Sequence, residues 1–274
     1  MQINIKGELV SLEEPQVMGI LNITPDSFYD GGFHKNEKQI LNQVEKMLTE
    51  GASFIDIGAY SSRPDANDVD VEEEQKRLLP FLKKIRKEFP KTFLSIDTFR
   101  SDVAHASLEE GADIINDILG GQLDEKMFSV VAKFGVPYIM MHMRGTPKTM
   151  QKQTEYDNLI VDIRHYFSER ISLANKAGIK DIILDPGFGF AKTRTQNFEL
   201  LRNLNSLNIF ELPLLVGVSR KSMIYKTLGC EAIEALNGTT ALNMFSLQQG
   251  SKILRVHDVK EAVETVELYK ELSK

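Results

Sequence analysis

The sequence predicts a closed (β/α)8 barrel preceded by a short N-terminal β-hairpin. Along its 274 residues, eight short apolar runs alternate with segments of helical spacing. This alternation is typical of βαβ units that share a parallel sheet. Eight such units in roughly 250 residues favour a barrel over the alternative, an open doubly wound sheet. The apolar runs occupy residues 17–23, 53–58, 93–97, 113–118, 136–141, 181–184, 213–218 and 252–256.

The segments around these runs have their own periodicity. Near Gly7, the apolar residues Ile3, Ile5, Leu9 and Val10 roughly alternate with polar ones, which predicts the small hairpin. No low-complexity tract or Gly/Ser-rich linker divides the chain, so we expect residues 1–274 to form a single domain. Apolar residues recur at helical spacing in residues 37–50, 72–88, 159–177 and 259–272.

Composition restricts the class of protein. Hydrophobic residues make up 42% and charged residues 26%, which is ordinary for a soluble globular protein. The net charge of −6 gives no reason to expect nucleic acid or an anionic membrane as a partner. A single cysteine, Cys230, cannot form an internal disulfide, and this fits a reducing compartment. No apolar run reaches the roughly 20 residues of a membrane span or resembles a signal peptide, so we expect a cytoplasmic protein.

Nearly every predicted strand ends in a polar side chain. Asp and Asn are unfavourable inside strands, and the catalytic residues of a barrel lie where strands end and βα loops begin. We therefore predict a functional site at this rim. Its candidate residues are Asn22, Asp56, Arg63, Asp97, Asn116, Asp117, His142, Asp185, Lys221, Arg255 and His257.

These side chains suit recognition of a flat polar ring. The sequence lacks a dinucleotide fingerprint, a phosphate-binding P-loop, a zinc pattern and a nucleophile elbow. Asp97, Asn116 and Asp185 instead provide acceptors and an amide for a heterocycle with adjacent N–H and NH2 groups. Lys221 adds a cationic donor. Arg255 could stack on such a ring, or pair with Asp56 or Asp258.

An anionic group would suit the remaining candidates. Arg63, His257 and helix N-termini at this face can bind phosphate-like groups. Asn22 follows the first barrel strand and is joined to an Asp-containing loop, so it could hold Mg²⁺ together with phosphate oxygens.

Taken together, these residues closely resemble those of the dihydropteroate synthases, a family of pterin-binding TIM-barrel enzymes. The matching segments occur in the family's order and span residues 17–258. They are MGILNITPDSF (18–28), SRP (62–64), SIDT (95–98), IND (115–117), MH (141–142), LDPGFG (184–189), GVSRKS (217–222) and RVHD (255–258).

The resemblance implies a reaction and a set of site residues. Such enzymes are usually homodimeric TIM barrels that require Mg²⁺. They condense 4-aminobenzoate with 6-hydroxymethyl-7,8-dihydropterin diphosphate to give 7,8-dihydropteroate and diphosphate, and sulfonamides compete with aminobenzoate. By motif match, Asn22 would bind Mg²⁺, and Arg63, Arg255 and His257 would contact diphosphate. The pterin would be held by Asp97, Asn116, Asp185, Lys221, a stacked Arg255, Ile118 and Met140. The aminobenzoate pocket would comprise Phe28, Ser62, Pro64, Phe190, Lys221 and Ser222.

The chemistry agrees with this residue set. The pterin ring can help expel diphosphate and leave a stabilised cation, so electrostatic assistance belongs on the leaving group. An aromatic amine is unprotonated at neutral pH and needs positioning rather than a general base. We expect Lys221, Arg63, Asp26 and Arg255 to be catalytic. Residues 24–28 are predicted to close over the diphosphate, with Asp26 holding either Arg63 or a metal-bound water.

One loop departs from the family pattern. Where the family usually has Gly-Gly-Glu-Ser-Thr-Arg-Pro-Gly, residues 58–65 read GAYSSRPD. Tyr60 replaces an acid, Ser62 a threonine and Asp65 a glycine. Loss of the glycine restricts φ and adds a negative charge near Arg63, which bears on aminobenzoate affinity and sulfonamide sensitivity.

Two other functions remain open. A methyltetrahydrofolate:corrinoid methyltransferase would share the ring-binding set but has no use for the segments at 24–28, 219–222 and 255–257. A catalytically silent pterin-binding protein is the second alternative, although every rim residue is retained.

Overall fold

The computed structural model describes residues 1–23, 32–60 and 69–274, and it contains the predicted barrel. An antiparallel hairpin of β1 (Gln2–Ile5) and β2 (Glu8–Ser11) precedes it. The barrel strands are β3 (Gln16–Asn22), β4 (Phe54–Gly58), β5 (Phe93–Asp97), β6 (Ile114–Asp117), β7 (Tyr138–Met141), β8 (Ile182–Asp185), β9 (Leu215–Val216) and β10 (Ile253–Val256).

The eight strands form one parallel sheet that curves back on itself. Its order is β8-β7-β6-β5-β4-β3-β10-β9. The ends of this order meet through an isolated parallel bridge between Leu184 and Leu214, where the Leu184 amide donates to the Pro213 carbonyl at 2.8 Å. The predicted closed barrel is therefore confirmed, and the open doubly wound sheet is excluded.

Helices follow the strands around the outside of the barrel. In the described ranges they are α1 (Gly32–Thr49), α2 (Val71–Glu88), α3 (Ser101–Glu109), α4 (Met127–Phe134), α5 (Leu159–Ala177), α6 (Arg194–Arg202), α7 (Ser222–Leu228), α8 (Leu236–Gln248) and α9 (Val259–Leu272). Local sequence fixes several ends: Asp70 caps α2 through the Glu73 amide, and Thr193 with Gln196 forms a capping box on α6. None of these helices is long and apolar enough to cross a membrane.

Alternate residues of each strand point to two different cores. One set packs outward against the helices, and the other points into the barrel, which is why the strands read as nearly continuous apolar runs. At the amino-terminal end of the barrel, the hairpin residues Ile3 and Ile5 pack against Met18, Phe54 and other inward residues. The hairpin thus covers this end and leaves the opposite rim for polar side chains.

Because the hairpin packs on the barrel, substitutions on its buried and exposed sides should differ in their effect on stability. Replacing Ile3, which is 2% exposed, with Ala should lower the free energy of unfolding by about 2–5 kcal/mol because it opens a cavity below the barrel. Leu9 lies on the other strand and is 65% exposed, so Leu9→Ala is the matched control. Urea unfolding of both variants measures the difference, and equal losses would contradict the packing role of the hairpin.

Candidate active site

A buried carboxylate organises the carboxyl-terminal rim of the barrel. Asp56, on β4, is fully buried. Ser95 donates a 2.6 Å hydrogen bond to its Oδ1, and the side-chain amide of Asn116 donates to Oδ2 at 2.9 Å. Arg255, on β10, donates to the same Oδ2 through Nε at 2.7 Å. Three other strands are therefore tied to β4 by one side chain.

Arg255 joins this network to Asp97. Its second nitrogen, Nη2, lies 2.8 Å from Oδ2 of Asp97, so the guanidinium bridges two carboxylates. Partial burial raises the pKa of the Asp97 carboxyl, and the Arg255 charge opposes that rise. Of the two structural pairings considered for Arg255, the one with Asp56 is present. Asp258 instead pairs with Arg220 through two 2.8 Å bonds.

Asn116 leaves an unmet acceptor at the rim. Its Oδ1 is buried and has no hydrogen-bond partner within the described structure, while its Nδ2 is engaged by Asp56. An unsatisfied buried acceptor costs about 1–3 kcal/mol, so a ligand donor that reached Asn116 Oδ1 would relieve that cost. Since Asn116 and Asp97 are register partners on β6 and β5, the open acceptor adjoins a carboxylate.

Asp185 and Lys221 form the other half of the rim. Asp185 ends β8, is 7% exposed, and accepts the Gly187 amide at 2.8 Å through Oδ1. Burial raises the pKa of Asp185, and Lys221 is the main charge opposing the rise. Burial in turn lowers the pKa of Lys221 to about 8, with Asp185 opposing. A Cβ added to Gly217 would lie 3.9 Å from both Lys221 Nζ and Arg255 Cβ, so these two side chains start from neighbouring positions at the rim.

Phe190, Lys221 and Ser222 also lie close together. The Lys221 ammonium donates to the carbonyl of Phe188 and stands 4.9 Å from the centre of the Phe190 ring. Ser222 is the first residue of α7, directly after Lys221, and both residues are half-buried. A cation beside an aromatic face and a helix N-terminus suit a planar anion.

The residues predicted to bind diphosphate are only partly within the described ranges. His257 is exposed, and its Nδ1 lies 3.0 Å from Oγ of Ser219. Asp26, Phe28, Ser62, Arg63 and Pro64 lie outside the described residues, so their predicted roles stay predictions.

The surroundings of Asn22 fit the predicted Mg²⁺ ion. It ends β3 and is exposed, and a Cβ added to Gly58 would lie 3.8 Å from its Oδ1 and 3.5 Å from Asp97 Cβ. Within residues 1–23, 32–60 and 69–274, no group of three or more His, Cys, Asp or Glu could hold a metal. A single amide oxygen near a carboxylate fits Mg²⁺, which commonly completes its shell with water and substrate phosphates.

The prediction that Met140 lines the ring pocket is wrong. On β7, Met140 packs in the layer between barrel and helices, together with Tyr138. Its neighbour Met141 has the opposite orientation and packs with Ile118, which is 6% exposed, in a cluster at the rim. Because side chains alternate along a strand, an error of one residue exchanges the two faces.

The atypical Tyr60 belongs to the same rim cluster. Its ring packs edge-on against Phe99, with 5.1 Å between ring centres, and the Arg100 guanidinium lies 5.4 Å from the Tyr60 centre. Arg100 in turn pairs with Glu74, which is buried and also accepts from Thr98 at 2.8 Å. Tyr60 thus stands in an aromatic and cationic environment.

Sequence reasoning missed Lys192, a buried cation in the loop between β8 and α6. Its Nζ lies 2.9 Å from Nδ1 of His142, 3.0 Å from the Gly187 carbonyl and 3.1 Å from the Phe190 carbonyl. Burial lowers the pKa of Lys192 to about 7, and Asp185 opposes the shift. A lysine in a loop is normally solvated, so only the apolar residues before it, Phe188, Phe190 and Ala191, hinted at burial.

Known proteins are similar to this chain in both sequence and fold. The family model described as pterin binding enzyme matches residues 18–257. Dihydropteroate synthase of Escherichia coli K12 is 43% identical over 269 residues, covering 97% of this chain and 94% of the relative. The enzyme of Synechocystis is 45% identical over 247 residues, covering 89% and 85%.

Solved structures agree with these relatives. The dihydropteroate synthase of Yersinia pestis, in a sulfonamide complex, superposes with a TM-score of 0.93 at 42% identity and covers 100% of this chain and 99% of its own. That of Xanthomonas albilineans, with 4-aminobenzoic acid, gives 0.92 at 34% identity, covering 99% and 98%. The family match over most of the chain and the identity to these relatives show that the chain belongs to the dihydropteroate synthase family of pterin-binding enzymes.

Proposed function

We propose that this chain condenses 4-aminobenzoate with 6-hydroxymethyl-7,8-dihydropterin diphosphate, giving 7,8-dihydropteroate and diphosphate in folate biosynthesis. The observation that carries the proposal is the rim formed by Asp97, Asn116 and Asp185, with the unmet Asn116 acceptor between the two carboxylates and the Lys221 and Arg255 cations beside them. Family membership supports the same reaction.

The pterin fits the donors and acceptors of the rim. Asp185 and Asp97 accept N–H bonds from the ring, and Asn116 Oδ1 takes the donor that it lacks in the free protein. Lys221 donates to a ring acceptor. Arg255, held by Asp56 and Asp97, presents its guanidinium next to the ring. Ile118 and Met141 give the ring an apolar contact.

The diphosphate lies at the outer side of this rim. Arg255 and the exposed His257 can donate to it, and Arg63 is proposed as a further donor. Asn22 would hold Mg²⁺ with phosphate oxygens, and the ion supplies positive charge that stabilises the departing diphosphate. Asp26 is proposed to orient Arg63 or a metal-bound water. The carbon–oxygen bond breaks and diphosphate leaves with the bonding electrons. The arylamine nitrogen then attacks the pterin cation and loses its extra proton to water.

The aminobenzoate is proposed to occupy the side of the rim formed by Lys221, Phe190 and Ser222. Phe190 offers a ring face, while the Ser222 hydroxyl and the N-terminus of α7 suit the carboxylate. Phe28, Ser62 and Pro64 are proposed to complete this pocket. The dihydropteroate synthases of Xanthomonas albilineans and Thermus thermophilus have been solved with this ligand. We further propose that the protein is a homodimer, as the resemblance implies, and that it lies in the cytoplasm, as the composition suggests.

Diphosphate release tests the reaction directly. The purified protein should release diphosphate only when both 4-aminobenzoate and the pterin diphosphate are present with Mg²⁺, because the leaving group needs added positive charge. Excess EDTA should abolish release, and readdition of Mg²⁺ should restore it. Binding of a pterin that lacks the diphosphate should not change with EDTA, which controls for damage to the ring site. Pterin binding without any diphosphate release would instead support the silent-protein alternative.

Asp185→Asn should weaken pterin binding by about 100-fold, because an acceptor that faces ring N–H groups becomes a donor. The variant keeps the oxygen that accepts the Gly187 amide, so the loop should stay in place. Asp181→Asn is the matched control: it makes the same change just before β8, where Asp181 accepts the Asn4 amide at 2.9 Å. Calorimetry measures both, and unchanged affinity in the Asp185 variant would refute the ring contact.

Arg255→Met should lower the free energy of unfolding by about 3–5 kcal/mol, because it leaves the Asp56 carboxylate buried without its cation. Adding Asp56→Asn should recover at least half of that loss, since the neutral amide removes the buried charge. Diphosphate release should stay abolished in the double variant because the proposed substrate contact is still missing. Urea unfolding of the wild type, both single variants and the double variant gives the coupling. Additive losses would show that the two residues are independent.

A further inference from the structure

The loop between β8 and α6 encloses a buried ammonium group. Lys192 is 6% exposed, and its Nζ has three neighbours at hydrogen-bond distance: the carbonyls of Gly187 and Phe190 and the Nδ1 of His142. A lysine ammonium has three N–H donors and no acceptor, so this set uses every donor. Two of these three partners are carbonyls of the loop itself, so the loop wraps around the Lys192 ammonium at its end.

The backbone of this loop adopts an unusual conformation that brings its carbonyls toward Lys192. Gly187, Gly189 and Ala191 have φ values of 71°, 83° and 47°, so every second residue is left-handed. A Cβ at Gly187 would collide with the carbonyl of His142, so the loop lies directly on the end of β7. Left-handed backbone is unfavourable for Ala191 and persists only where surrounding contacts impose it.

His142 is held as the third acceptor. Burial, followed by the Lys192 charge, lowers the pKa of His142 well below its usual range, so the ring is neutral. In the tautomer with its proton on Nε2, Nδ1 accepts from Lys192. The ring packs edge-on against Tyr166 with 4.8 Å between centres. The Tyr166 hydroxyl donates to the Met141 carbonyl at 2.8 Å, which holds the Tyr166 ring of α5 against β7. The acceptor for Lys192 thus has a defined position.

The loop carbonyls are shared between two lysines. Those of Gly187 and Phe190 face Lys192, and that of Phe188, between them, accepts from Lys221. The Phe190 ring stands 4.9 Å from the Lys221 ammonium. The backbone that Lys192 holds therefore carries both the anchor of Lys221 and the aromatic face beside it.

We propose that Lys192 is a positioning residue for the aminobenzoate side of the site, where it fixes Phe190 and Lys221 without touching the substrate. The proposal rests on the proposed function, because it assumes that aminobenzoate binds beside Phe190. The Lys192 ammonium selects one conformation of the loop from Gly187 to Lys192. Asn116 and Asp97 are held by Asp56 and Arg255 on other strands, so the effect should be larger for aminobenzoate than for the pterin. The loop meets the proposed pterin site only through Asp185 and Lys221.

Lys192→Met tests this by removing all three donors while keeping an unbranched side chain. The KM for 4-aminobenzoate should rise by about tenfold or more, because displacement of Phe190 and Lys221 misplaces the substrate. Pterin affinity should fall by about threefold at most, since Asp97 and Asn116 keep their contacts. Arg86→Met is the matched control for lost stability: Arg86 donates to the carbonyls of Gly111 and Thr92 at the opposite end of the barrel. It should lower the melting temperature and leave both substrate constants unchanged.

Two results would overturn the proposal. One is a KM for 4-aminobenzoate within roughly twofold of wild type in Lys192→Met, and the other is an equal loss of pterin affinity, which would indicate a general collapse of the rim. The Phe190→Ala variant distinguishes failure of the Lys192 positioning role from failure of the proposed aminobenzoate site. A raised KM in Phe190→Ala with a normal KM in Lys192→Met defeats the positioning role alone. Normal KM values in both defeat the proposed aminobenzoate wall.

A second measurement covers the case in which Lys192→Met does not fold. His142→Phe keeps an aromatic ring and removes one of the three acceptors. Amide hydrogen exchange of residues 187–191 should then be faster than in wild type, with exchange in α2 unchanged, and the KM for 4-aminobenzoate should rise with it. Unchanged exchange in the loop together with unchanged KM would contradict the role of the ammonium.

Discussion

The buried carboxylate of Asp56 is the constraint on which the rest of the site depends. It has no contact with water, so its charge must be met by protein groups. Those groups are Ser95, Asn116 and Arg255, each from a different strand. They converge because β4, β5, β6 and β10 belong to one curved sheet, in which the order is β6-β5-β4-β3-β10. Sheet curvature and site geometry are therefore linked: satisfying Asp56 orients Asn116, leaves its Oδ1 open, and turns Arg255 toward Asp97.

The inward face of each strand changes character along its length. On β5, Phe93 lies at the hairpin-covered end, Ser95 in the middle and Asp97 at the rim. The first packs in an apolar core, the second satisfies Asp56, and the third pairs with Arg255 and borders the open Asn116 acceptor. Substitutions at one end of the barrel should thus change stability, and those at the other should change ligand binding.

Most of the fold, and the polar residues that the structure brings together at the rim, could be picked out from the sequence because both depend on short-range patterns. Helices α5 and α9 begin and end where the periodicity indicates, and Asp97 and Asn116 stand out because polar residues interrupt apolar runs. Two features could not be predicted this way. Which of Met140 and Met141 faces inward depends on register, which an apolar pair does not reveal. The burial of Lys192 depends on loop carbonyls and His142, which meet only in three dimensions.

The charge balance of the rim gives a physical reason for the proposed metal. In the described part of the rim, the three carboxyl groups of Asp56, Asp97 and Asp185 face the three basic side chains of Lys192, Lys221 and Arg255. These groups largely neutralise one another, and every cation already has protein partners. A diphosphate that arrives with several negative charges therefore finds little surplus positive charge in this set. The compensating charge has to come from elsewhere, and Mg²⁺ bound through phosphate oxygens and Asn22, together with Arg63, would provide it where the leaving group departs.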